Sequence, residues 1–248
     1  MTMEKIGNNT HEIEKSNQRR RDGKMPNEIM RIVTKKFRIK VNSYLLRTGN
    51  SYLLIDSGFS SMRSSLEKEI ESAGCNPGNL KLIVLTHGDF DHTGNAAYLR
   101  KKFDTKIAMH CSDSGIVEHG DMFWNRKKVN FLIKLITNNL LGLNKSDRFK
   151  PDLCIGDGYD FSEFGFEAKA LHLPGHSKGS IGILTADGDL FCGDLLTNMD
   201  KPAPNSLVDD STELETSIEK FKHLPIKTVY PGHGKPFQME LFMNEEVK

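Results

Sequence analysis

The stretch Leu82-Ile83-Val84-Leu85-Thr86-His87-Gly88-Asp89-Phe90-Asp91-His92-Thr93-Gly94 puts four metal-capable side chains into six consecutive positions, directly after a short apolar run. The run Leu82 to Leu85 reads as a buried strand. A strand sends successive side chains to opposite faces, so His87, Asp89, Asp91 and His92 can meet only if the chain turns beyond it. Gly88 and Gly94 give the backbone the freedom to do so. Imidazole and carboxylate together suit a transition metal, and two of each exceed what one ion needs from a single loop. The plainer reading is a polar turn with solvated histidines, and the rest of the chain separates the two.

Outward from this loop, the same grammar recurs. The apolar segment Phe166 to Leu173 runs into Pro174-Gly175-His176, Leu190 to Cys192 into Gly193-Asp194, and Lys227 to Tyr230 into Pro231-Gly232-His233-Gly234. Strand ends on one edge of a layered α/β structure are where sites are built, and a glycine beside each ligand lets backbones approach closely. Four strand ends of one kind predict one shared metal site. His11, His110, His119, His172 and His223 lack this context and are expected to be structural or solvated.

The intervening segments predict the frame. Residues 31–34, 39–46 and 51–55 alternate as consecutive strands, with Gly49-Asn50 as a turn. Ser60-Ser61 can cap a helix running to about Ala73. A helix from about Ala96 to Lys102 and a strand from Thr105 to His110 follow the ligand loop. Further strands are predicted over Tyr159 to Ser162, Phe166 to Leu173, Ser180 to Thr185 and Leu190 to Cys192. A helix over Thr212 to His223 has Ser211 or Thr212 as its cap. Strands and helices alternate in each half, which predicts two related sheet-and-helix halves packed face to face. Between them, at about residues 112–150, Phe123, Trp124, Val129, Leu132, Ile133, Ile136, Leu140 and Leu143 recur at helical spacing, so an amphipathic helical insert is expected. It packs on the domain's own core, covers a site or forms a dimer surface. Residues 1–26 are polar and read as a disordered tail, leaving 27–248 as a single domain.

The 248 residues suffice for one large core, and a formal net charge of +1 gives no field that would gather nucleic acid or an anionic membrane. No apolar run reaches the length of a membrane span, and the polar start lacks a secretory signal, so a cytoplasmic protein is expected. Cys75, Cys111, Cys154 and Cys192 form no CxxC pair and are expected as reduced thiols, with Cys111 and Cys192 as small buried residues.

Together the motifs resemble the metallo-β-lactamase superfamily over about Ile29 to Phe237. The family signature, an HxHxDH loop, a single histidine, a bridging aspartate and a final histidine, reads here as His87-x-Asp89-x-Asp91-His92, His176, Asp194 and His233. The resemblance implies a four-layer αββα sandwich. It implies two divalent metal ions, one held by His87, Asp89 and His176 and the other by Asp91, His92 and His233, with Asp194 between them. Asp56 matches the family's first motif, a structural support, and Asp56 and Thr86 are expected to orient the histidines from behind. The departure is Asp89, where the family has histidine. A carboxylate makes that position harder, so zinc is expected with iron or manganese as alternatives.

The resemblance further implies a metal-dependent hydrolase of a small thioester, lactone or other ester, similar to the hydroxyacylglutathione hydrolases, in which a hydroxide bridging two metal ions attacks. Asp91 would accept or shuttle a proton, and Ser177, Asn198 and Lys235 are candidate substrate contacts. The competing readings are an iron-dependent oxidoreductase resembling the persulfide dioxygenases, a phosphodiesterase, and a non-catalytic metal- or partner-binding module. A small-molecule substrate is expected, with no nucleic-acid or membrane partner, and a homodimer through the helical insert is one of the alternatives left open for that segment.

Overall fold

A computed structural model of the chain describes residues 2–6, 9–14, 28–126, 132, 138 and 142–246. One sheet runs in spatial order through β1 (Thr2–Ile6), β2 (Asn9–Glu14), β3 (Glu28–Lys36), β4 (Ile39–Thr48), β5 (Ser51–Ile55), β6 (Leu80–Val84), β7 (Lys106–Met109) and β8 (Leu153–Cys154). It is antiparallel up to β5 and parallel from β5 to β8. The second sheet contains β9 (Ala168–His172), β10 (Ile181–Thr185), β11 (Asp189–Gly193), β14 (Thr228–Pro231) and β15 (Phe237–Gln238), in the order β15-β14-β11-β10-β9. A two-residue pair, β12 (Leu196–Thr197) and β13 (Ala203–Pro204), forms a small ribbon.

The period of two along the strands builds three cores from these sheets. On β5, Leu53 and Ile55 face the second sheet while Tyr52 and Leu54 face outward, and on β6 Leu82 and Val84 face inward while Ile83 faces outward. The inward set meets Ala170, Ile181, Ile183, Phe191 and Tyr230 from the other sheet. The outward set is covered by Leu66 and Ile70 of α1 (Arg63–Ser72) and by Ala96, Leu99 and Phe103 of α3 (Ala96–Phe103). On the far side, Leu190, Cys192 and Val229 are covered by Leu214, Ile218 and Phe221 of α5 (Ser211–Lys222) and Phe242 of α6 (Met239–Glu246). Each fully buried leucine or isoleucine contributes about 1.5–3 kcal/mol to these cores. Helix, sheet, sheet, helix is the expected four-layer sandwich.

Several local expectations are corrected. Residues 1–26, read as a disordered tail, include β1 and β2, which extend the sheet from the edge of β3. Edge pairing satisfies backbone hydrogen bonds without requiring an apolar face, so composition cannot reveal it. Helix α1 follows a single 3-10 turn at Ser60–Met62, and no side chain caps it. Helix α5 is capped by Asp210, whose carboxylate accepts from the backbone N–H groups of Thr212 and Glu213. The strand expected at Tyr159 to Ser162 is one isolated bridge, Asp160 with Lys169, followed by a 3-10 turn. Cys111 and Cys154 are exposed and joined by a disulfide, while Cys75 and Cys192 are buried and unbonded. Pairing of Met109 with Cys154 across β7 and β8 brings the two cysteines together, which a sequence separation of 43 conceals.

Of the helical insert predicted over 112–150, α4 (Cys111–His119) forms, starting one residue earlier, and turns follow over residues 122–125. Leu143 and Phe149 pack into the outer core beneath α1 and α3. Val129, Ile133, Ile136 and Leu140 lie outside the described residues, and with them the expected lid or dimer surface. No helix of the described residues is long and apolar enough to cross a membrane.

Candidate metal centre

The loop after β6 is stitched to the loop after β5. Asp56 stands at the end of β5 with φ +59°, a left-handed conformation that strains a residue with a side chain. There its carboxylate accepts from the Thr86 backbone N–H at 2.8 Å, the Thr86 hydroxyl at 2.8 Å and His92 Nδ1 at 2.8 Å. The Thr86 oxygen, its proton given to Asp56, takes His87 Nδ1–H at 2.9 Å. Ser57 binds the His92 carbonyl, and the Asn95 amide donates to the carbonyls of Ser57 and Phe59. The chain therefore turns where the sequence requires it to, forming the short helix α2 (Phe90–Thr93) that starts at Asp89 and carries Asp91 and His92.

The remaining histidines are fixed by the same device from other strand ends. His176, beyond β9, donates Nδ1–H to the Leu207 carbonyl at 2.5 Å. His233, beyond β14, donates Nδ1–H to the Lys40 carbonyl at 2.6 Å. The backbone around His233 is clamped to the first sheet by Asn42, whose amide reaches the carbonyls of Pro231 and Gly234, and by the Tyr44 hydroxyl on Pro231. Gly232 lets these layers close, since a Cβ there would lie 2.2 Å from Asp194 Oδ1 and 2.6 Å from His92 Cε1. Gly193 does the same behind Thr86, with φ +53° and only 2.6 Å between a built Cβ and Thr86 Oγ1.

With each outer nitrogen engaged, all four imidazoles turn Nε2 inward. His176 Nε2 is 3.2 Å and His87 Nε2 3.8 Å from Asp89 Oδ2. His92 Nε2 is 3.3 Å from Asp194 Oδ1, and His233 Nε2 is 3.3 Å from Asp194 Oδ2. Asp91 Oδ2 lies 3.4 Å from His233 Nε2 and 3.8 Å from His92 Nε2. Three overlapping groups have ligand atoms within 4.8 Å of one another: His87, Asp89 and His176; Asp91, His92 and His233; and His87, His92 and Asp194, which joins the other two. All seven residues predicted as ligands are thus brought to one place. The buried nitrogens His87 Nε2 and His92 Nε2 and the oxygen Asp194 Oδ1 have no aligned hydrogen-bond partner among the described residues. Buried, unpaired polar atoms converging in this way, with each imidazole backed by an outer hydrogen bond, fit divalent first-row ions.

Charge sets the protonation of the metal-free cluster. Burial lowers His87 well below the usual imidazole range, aided by the neighbouring His92. For His92, burial is overcome by Asp194, Asp91 and Asp56, which hold it well above that range. Burial of His176 is likewise outweighed by Asp89, and that of His233 by Asp194, which brings His233 up to about 10. Burial would raise Asp89 and Asp194, yet Arg126 and the imidazoles hold Asp89, and His92 and His233 hold Asp194, well below the carboxylate range. Protons on Nε2 of His92, His176 and His233 therefore stand where a metal ion would bind and must leave as it enters.

The predicted substrate contacts are placed less uniformly. Ser177 is buried and its hydroxyl donates to Asp113 Oδ2 at 2.6 Å. The Asn198 amide donates to the Lys235 carbonyl at 2.9 Å, tying the two loops together, while Lys235 itself is exposed. A cavity of about 460 Å³ opens beside the His176 loop, lined among others by Arg126, His172, Gly175, Ser177, Lys178 and Asp209. Of the three candidates only Ser177 reaches it.

Two residues that the sequence reading missed complete the centre. Asp113 of α4 is buried and accepts from the backbone N–H groups of Gly88 and Gly179 and from Ser177, so it joins the His87 loop to the His176 loop. Arg126 is partly buried, with Nη2 2.6 Å from Asp89 Oδ1 and Nε 3.2 Å from Asp209 Oδ2. Nothing local marks either one: Arg126 sits in the run Asn125-Arg126-Lys127-Lys128, which reads as a solvated basic face.

A model of the metallo-beta-lactamase superfamily matches residues 38–233. The chain belongs to this superfamily. It is 29% identical over 202 residues to the probable metallo-hydrolase YqgX of Bacillus subtilis, covering 79% of this chain and 86% of that one. It is 32% identical over 163 residues to the hydroxyacylglutathione hydrolase GloC of Haemophilus influenzae, covering 63% and 69%. Among solved structures, TTHA1623 in a di-iron-bound form superimposes with a TM-score of 0.66 at 26% identity, over 85% of this chain and 96% of that one.

Proposed function

We propose that the protein is a metal-dependent hydrolase of a small thioester, lactone or other ester. The observation that carries this reading is the set of four imidazoles, each pinned at Nδ1 from outside and turned with Nε2 toward Asp89, Asp91 and Asp194. In this reading His87, Asp89 and His176 hold one divalent ion, Asp91, His92 and His233 hold a second, and Asp194 serves both. Such a pair supplies Lewis acidity toward a carbonyl oxygen and brings the pKa of water toward neutrality. Asp56 and Thr86 fix the tautomers of His92 and His87, so that Nε2 of each offers a lone pair. Asp91 is partly exposed beside His233, where its carboxylate can take the proton released by the attacking water. The cavity beside the His176 loop, with Arg126 and Lys178 on its wall, adjoins the cluster through Arg126 and Gly175 and is lined by none of the seven ligands. The thioester preference draws on the similarity to the hydroxyacylglutathione hydrolase GloC.

The test is a panel of thioesters, lactones and phosphodiesters assayed before chelation, after chelation and after metal return. Turnover of a thioester or lactone that is lost on chelation and restored by metal is expected. His87→Ala and Asp194→Ala should abolish it while leaving the far-ultraviolet circular dichroism unchanged, and full turnover by either variant overturns the assignment. Asp89 and the di-iron neighbour favour a second reading, an iron-dependent oxidoreductase. Anaerobic metal content together with oxygen uptake distinguishes it from the hydrolase.

A further inference from the structure

The metal-capable cluster carries one feature that ligand geometry alone does not explain. Asp89 faces two imidazoles through Oδ2 and a guanidinium through Oδ1. Arg126 is partly buried and reaches Asp89 from the segment after α4, 37 positions along the chain, with its Nε 3.2 Å from Asp209 Oδ2. An arginine stays charged at every pH the fold survives, so a fixed cation stands directly behind one of the centre's donors.

We propose that Arg126 is a positioning residue that cancels the charge Asp89 brings to the cluster and thereby makes the His87–Asp89–His176 position the weaker and more exchangeable of the two metal positions. This rests on the metal-centre reading above. Arg126 offsets the charge of Asp89 while sharing its own with Asp209, so that position gains less anionic attraction from its carboxylate than an unpaired aspartate would give. The Asp91–His92–His233 position keeps a carboxylate that no guanidinium among the described residues contacts. Two effects of Arg126 oppose each other. The ion pair at Oδ1 leaves Oδ2 facing the imidazoles, and outer partners of ligating carboxylates are worth about 10–100-fold in metal affinity. Repulsion between a partly buried monocation and a dication a few ångströms away exceeds that at an effective dielectric constant of about 20, and Asp209 screens only part of it. Repulsion therefore wins, and the position is graded downward.

Titration of the metal-stripped full chain with zinc alone, followed by calorimetry and by elemental analysis of the bound ion, reads the effect without any assay of turnover. The wild-type protein should bind two ions with unequal affinity. Arg126→Met should tighten the weaker step by about tenfold or more, Arg126→Lys should keep it near the wild-type value because the charge remains, and Asp209→Asn should weaken it because Arg126 is then less neutralised. A merely structural role would weaken the step in all three variants. Two equal wild-type steps, or an Arg126→Met step no tighter than wild type, overturn the proposal while leaving the metal centre standing. Wild-type protein that takes up no zinc overturns both. If Arg126→Met does not fold, Asp209→Asn decides, and an unchanged or tighter weak step in that variant overturns the proposal.

Discussion

Asp56 gathers three hydrogen bonds onto one carboxylate while standing in a left-handed backbone conformation. Strain of this kind persists where surrounding contacts over-determine it. Replacing the carboxylate with an amide removes an acceptor from Thr86 or His92 and releases the tautomer of at least one histidine. Asp56→Asn is expected to lower metal affinity by about 10–100-fold and stability by about 1–3 kcal/mol, read by competition with a chelator and by denaturant unfolding. His233 gives a second expectation at this scale. Its folded value of about 10 lies above the unfolded value of about 6.5, so the folded metal-free protein holds a proton that the unfolded chain releases within that window. The stabilisation is complete below the unfolded value and is lost as pH rises through the folded one. The melting temperature of metal-free protein should therefore fall between about pH 6.5 and pH 10, with His92 and His176 acting in the same direction. A flat profile over that range would show that no imidazole of the cluster holds the extra proton.

At the scale of elements, the centre is assembled by strand ends and braced by a helix. α4 brings Asp113 between the His87 and His176 loops, where one carboxylate satisfies two backbone N–H groups and a hydroxyl. Leaving such donors buried without an acceptor costs about 1–3 kcal/mol each, less whatever relaxation and water recover. Asp113→Ala is expected to destabilise the fold by about 2–4 kcal/mol and to loosen the first metal position, checked by chemical denaturation and zinc titration on the same preparation. A loss of metal affinity with no loss of stability would mean that the loops hold their shape without the brace. The α5 cap follows similar logic, with Asp210 closing two N–H groups immediately after Asp209, the partner of Arg126.

Across the whole molecule, the candidate ligands are divided between the two halves of the sandwich. His87, Asp89, Asp91 and His92 follow the first sheet, whereas His176, Asp194 and His233 follow strands of the second. An ion bound by both sets joins the halves and stabilises only the folded chain. At free metal about 100 times the dissociation constant, this linkage is worth about 2.7 kcal/mol. Chelation should accordingly lower the melting temperature, and returning metal should restore it. A melting temperature indifferent to chelator would indicate that no ion bridges the sheets.

The sequence by itself determined the layers and the site's inventory. The alternation along residues 51–55 and 82–85 already separates the faces that become two cores, and each ligand follows an apolar run because strand ends are where the backbone leaves the sheet. Those signals are local and periodic. Only the tertiary structure decided what stands behind the ligands. Arg126 reaches Asp89, Asp113 reaches Gly88 and Gly179, and Cys111 meets Cys154, because non-adjacent segments pack together. Charge neutralisation and hydrogen bonding of this kind depend on distances in space, which no spacing along the chain encodes.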